Sequence, residues 1–99
     1  MARIVFIGSE ATAAGFRLAG VDTRVATTGD AALQLRRARA EPNDCVLLEG
    51  TLLDGVPTAE LQSALLADTP ALLVVPDVMG RGAPPALAHE VRLALGIET

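Results

Sequence analysis

The chain has no lysine, no tryptophan and no tyrosine, and it holds one cysteine and one histidine among its 99 residues. Each shortage excludes something. All eight basic residues are arginine, set against twelve acids for a net charge of −4. That balance argues against nucleic-acid backbones and anionic membrane surfaces as partners. A single thiol, Cys45, cannot form an internal disulfide, which fits a reducing compartment. No apolar run approaches the ~20 residues of a membrane span, and Ile4 to Ile7 is too short for a signal-peptide core. The expectation is a cytosolic protein. With two phenylalanines as the only aromatics, its core must be aliphatic, built from Leu, Val and Ala. A chain of this length makes one domain and buries roughly 60–65% of its unfolded surface.

What is present alternates. Ile4-Val5-Phe6-Ile7 is an unbroken β-forming run of the kind covered on both faces. Gly8 breaks it, and Ser9 is suited to cap a helix that Gly20 closes in a left-handed conformation. On that helix Thr12, Gly15, Phe16 and Ala19 share one face, where Gly15 predicts a close approach to the sheet. Ala11, Ala14 and Leu18 form a second apolar face, leaving Glu10 and Arg17 as the only charges. One face should meet the sheet, and the other calls for a second neighbour.

Val21 to Ala26, interrupted by Asp22 and Arg24, reads as an edge strand. Thr27 to Asp30 opens a helix running to about Ala40, with Ala31, Leu35 and Ala38 inward and Arg36, Arg37 and Arg39 in its solvated last turns. Glu41 to Asp44 is a turn, and Cys45 to Leu48 a second buried strand. Pro57 and Glu60 mark a third helix that turns Leu61, Ala64 and Leu65 inward. Ala71 to Val75 is a fourth strand, stopped by Pro76. A glycine-containing loop follows, and Pro84-Pro85 opens a last helix with Leu87, Val91 and Leu95 on one stripe. Strands alternating with helices predict a doubly wound α/β fold. Right-handed crossovers favour the parallel order 2-1-3-4, with the two most apolar strands central. The division is a core over 1–76 and a loop plus C-terminal helix over 77–99.

In such folds ligands bind at the carboxyl ends of the strands. Here those ends carry Glu10, Glu49 and Asp77, three acids able in principle to hold Mg²⁺. A phospho-accepting receiver domain would have Asp where Glu49 stands and a lysine after a later strand, and this chain has neither. No G-x-G-x-x-G and no G-K-[ST] is present, so no phosphate cradle is encoded. His89 beside Glu90 reads as a surface residue, and Cys45, inside a strand, as an unreactive buried thiol. Neither a catalytic group nor a cofactor or metal site is expected. What remains is surface for partners. Leu52, Leu53 and Val56 in one loop, and Val78 and Met79 one strand away, are expected to form an apolar patch, unless the leucines fold back over the helix ends.

Gly8-Ser9-Glu10 followed by Gly15-Phe16-Arg17-Leu18-Ala19-Gly20-Val21 resembles the opening of the F subunit of the V-type (vacuolar and A-type) rotary ATPases. Leu73-Val74-Val75-Pro76 is similar to that family's last core strand, and Val91 to Ile97 to its terminal helix and tail. The stretch from Gly29 to Ala67 supports only the order of elements. The resemblance implies a Rossmann-like core and a movable C-terminal segment. It also implies a non-catalytic role in the central stalk, peripheral to the membrane, with the coiled-coil central-stalk subunit (the D subunit of these ATPases) as partner. Phe16, Arg17, Leu18, Leu52, Leu53, Val56, Val78, Met79, Leu87, Val91 and Leu95 are the interface candidates. The competing reading is a degenerate receiver-like or small-ligand-binding signalling domain.

Overall fold

A computed structural model describes residues 2–77. Four strands, β1 (Ile4–Gly8), β2 (Asp22–Val25), β3 (Cys45–Glu49) and β4 (Ala71–Val75), pair in parallel in the order β2-β1-β3-β4. Between them run α1 (Glu10–Leu18), α2 (Ala31–Ala40) and α3 (Thr58–Leu66), with a 3₁₀ segment over Gly50–Gly55 after β3. The expected α/β order is the one found. Its two central strands are the apolar β1 and β3, and the charged β2 takes an edge.

The side-chain alternation along each strand sorts the interior into two layers. Val5 and Ile7 of β1, Val46 and Leu48 of β3 and Leu72 of β4 point to one side. There they pack with Ala31, Leu35 and Ala38 of α2 and Ala64 of α3. Phe6 points to the other side and stacks on Phe16 of α1, ring centroids 4.4 Å apart and 17° from parallel. Helices therefore cover both faces, as right-handed crossovers in this strand order require.

Several local expectations give way to longer-range contacts. Leu52 and Val56 are buried in the α2–α3 layer, with Leu53 half-buried against it. The 3₁₀ turn folds both side chains inward, so the expected exposed patch on this loop does not exist. Leu65 is 47% exposed, because α3 is anchored through Ala64 and Leu61. Gly15 faces away from the sheet, and a Cβ placed there meets nothing within 4 Å. The buried residues of α1 are Thr12 and Ala13.

Helix ends are held in ways the chain does not advertise locally. Gly20 adopts φ +86° after α1, as its position predicts. Asp30 precedes α2 but turns its carboxylate back to accept from the Thr27 N–H at 2.7 Å. Asn43, buried beyond the other end of that helix, donates from Nδ2 to the Ala38 carbonyl at 2.9 Å. Arg36 bridges from α2 to Glu60 on α3, its Nε 2.6 Å from Oε1 and one terminal nitrogen 2.9 Å from Oε2.

Candidate functional site

The carboxyl end of β1 delivers the chain to the first turn of α1, beside the end of β3. This is the point where strand order reverses, and in related architectures an anion sits there on the free N–H groups of the helix. Here the anion is the protein's own. Glu49 is 1% exposed and accepts the backbone N–H of Ser9 at 2.5 Å. Its other oxygen accepts the Ser9 hydroxyl at 3.1 Å and the Thr12 hydroxyl at 3.3 Å. Ser9 precedes α1 but makes no side-chain cap to it; its hydroxyl is turned to Glu49, to which it donates. A buried carboxylate is costly unless it is hydrogen-bonded, and here each oxygen accepts at least one of three donors.

Gly8 makes the arrangement possible. A Cβ at that position would overlap both Glu49 Oε2 and Phe6 Cζ. No side chain fits between the carboxylate and the ring.

Glu10 goes elsewhere, reaching along the exposed surface of α1 to Arg17 at 3.1 Å. Both side chains are more than half exposed, so the pair contributes little stability. Arg17 Nε also donates to Thr23 Oγ1 at 3.2 Å, tying the end of α1 to β2. Asp77 is buried just past β4. No three of the described His, Cys, Asp and Glu residues are grouped to hold a metal ion. Cys45 is half-buried, and burial pushes its thiol up from the usual range, away from nucleophilic use.

The interface candidates separate. Phe16 is half-buried on Phe6, and Arg17 lies exposed beside it. Leu18 is 92% exposed, and Ala11, Ala14 and Gly15 are exposed with it along one side of α1. Leu52 and Val56 belong to the core and Leu53 packs against it. Val78, Met79, Leu87, Val91 and Leu95, with His89, lie outside the described residues. The anchoring role of Glu49 and Thr12 is invisible in sequence, because their contact spans 37 residues. The one hint was an acid ending an otherwise apolar strand.

These features define a small parallel α/β domain whose customary ligand position is filled by its own carboxylate and whose first helix keeps an apolar side outward. A family model described as the ATP synthase (F/14-kDa) subunit matches residues 4–90. The chain belongs to this family, that of the F subunit of the V/A-type ATPases. No curated protein matches it. No helix among the described residues is long and apolar enough to cross a membrane.

Proposed function

We propose that this chain is the non-catalytic central-stalk subunit of a rotary, ion-translocating ATPase. In this reading it binds the long coiled-coil subunit of the same stalk and turns with it, peripheral to the membrane. Membership of the family carries the assembly half of the reading. The single structural observation that supports the binding half is the outward side of α1. Leu18 stands almost fully in solvent at the end of a line through Ala11, Ala14 and Gly15. Residues at this spacing form one side of a helix, and small ones let a second helix come close. An outward line of small residues ending in Leu18 offers a second helix close approach and one apolar anchor.

Nucleotide chemistry then belongs to other subunits. The strand ends of this chain spend their hydrogen-bonding groups on one another, with Glu49 on Ser9 and Thr12.

Co-expression with the coiled-coil stalk subunit of the same source, followed by size exclusion, tests the reading. A one-to-one complex is expected at micromolar concentration. Leu18→Asp should weaken it by about tenfold or more, the effect of losing a central apolar anchor. Two separate peaks for the wild-type pair overturn the proposal.

A further inference from the structure

α2 packs on the sheet face opposite α1, and its outward side gathers positive charge on a chain whose net charge is −4. Three of the eight arginines, Arg36, Arg37 and Arg39, stand within about one turn, and α2 itself carries no acid. Glu60 of α3 answers Arg36, and Glu41, just past the helix, is bonded to Arg24. Arg37 is exposed, with no acid at ion-pair distance among the described residues. Arg39 is half-buried, and its Nε is the one buried side-chain nitrogen or oxygen left without a partner among the described residues. One turn before Arg37 on the same side, Leu33 is 45% exposed, and Ala40 is exposed one turn after it. A cation near a helix C-terminus offsets the dipole. That effect asks for no outward leucine and no buried guanidinium nitrogen.

We propose that this side of α2 docks an acidic helix of another protein, with carboxylates for Arg37 and Arg39 and an apolar side chain for Leu33. Charge complementarity sets the sign of the partner. The guanidinium fork matches a carboxylate with two parallel hydrogen bonds, and Arg39, already half-buried by its own fold, has less water to lose on binding. Leu33 sets the class of partner. An apolar residue beside the arginines gains nothing from a phosphate backbone, and the acidic remainder of the chain repels a long polyanion. The small Ala40 lets a second helix approach closely. The surface lies across the sheet from the outward line of α1, so it does not rest on stalk binding, and the domain can hold both partners at once.

The test uses the full chain labelled with nitrogen-15. The probe is a synthetic amphipathic helical peptide with glutamates flanking a line of leucines. Its addition should move the amide resonances of residues 33–40, with affinity falling as salt rises. Arg37→Gln should weaken binding about tenfold, the loss of one charge-assisted pair. Arg37→Lys, which keeps the charge without the fork, should recover only part of it. Leu33→Ala should weaken it several-fold. Thr51→Glu makes the same change of net charge as Arg37→Gln, on an exposed turn past β3, and should leave the affinity unchanged. All three positions are exposed, so the variants keep the fold. Unmoved α2 resonances, or equal losses in Arg37→Gln and Thr51→Glu, overturn the proposal. Tighter binding of a single-stranded RNA homopolymer or of anionic lipid vesicles assigns the arginines to phosphate and overturns it too. So do α2 shifts that follow the chain's own concentration without peptide, which assign the surface to a second copy.

Discussion

Glu49 and Ser9, forty residues apart in the chain, are joined by two hydrogen bonds from one carboxylate to one residue. The bond to the Ser9 N–H, at 2.5 Å, fixes the entry of α1 to the end of β3. A helix on one face of the sheet is thereby locked to a strand it does not follow. The position of the outward side of α1 depends on this lock as much as on the Phe6–Phe16 stack.

Removing the carboxylate should therefore cost more than its size suggests. Glu49→Ala strands the Ser9 N–H and the Thr12 hydroxyl in a buried site, at about 1–3 kcal/mol per unsatisfied group. Glu49→Gln keeps the shape and one acceptor, so its loss should be smaller. Urea denaturation of both variants beside the wild type checks the ranking. Equal stability of all three would show that water serves the site as well as the carboxylate does.

Gly8→Ala should be destabilising without any change of polarity. The added methyl would overlap both Glu49 Oε2 and Phe6 Cζ, and neither is free to move far. Overpacking of this kind costs about 1–3 kcal/mol. The same denaturation series reads it, and the aromatic stack gives a second signal through the ring resonances of Phe6 and Phe16.

Gly15→Ala should act in the opposite direction. The position is helical with open space around its Cβ, so alanine should stabilise the isolated chain by about 0.5–1 kcal/mol. Gly15→Arg should fold as well and bind the coiled-coil stalk partner less tightly, since it fills the side proposed for docking. Thermal melting and size exclusion separate the two effects.

Acid should loosen the molecule in a defined window. Arg24 hydrogen-bonded to Glu41, and Arg36 to Glu60, hold both carboxyls below their ordinary value of 4.5. A depressed carboxyl contributes stability that is present above the unfolded value and lost as pH falls through the folded one. Melting temperature should thus be flat in this respect above about pH 4.5 and decline below it. Combining Arg24→Gln with Arg36→Gln should shrink that decline. Both pairs are near the surface, so 1 M salt should shrink it too.

The fold was legible because its signals are local and repeated. Three apolar runs of strand length, the charges of β2 and the spacing of Ala31, Leu35 and Ala38 each carry their meaning within a few residues. The order β2-β1-β3-β4 follows from them and from handedness alone. The site was less legible because its partners are distant. Ser9 has the chemistry of a helix cap, and nothing within a turn of it reveals that Glu49 claims its hydroxyl. Leu52 and Val56 looked exposed because the loop holding them lacks periodicity, yet a 3₁₀ turn returns both to the core. Gly15 looked like a point of close approach, and the helix is rotated so that Thr12 and Ala13 take that place.

The filled position at the start of α1 has a further consequence for a component of an ATP-driven machine. A domain that closes its binding cleft with a diffusing anion gains stability that rises with the logarithm of that anion's concentration once the site is saturated. Here the anion is attached to the fold, so its occupancy does not depend on supply. The stability of this domain should therefore be the same whether the surrounding nucleotide pool is charged or exhausted.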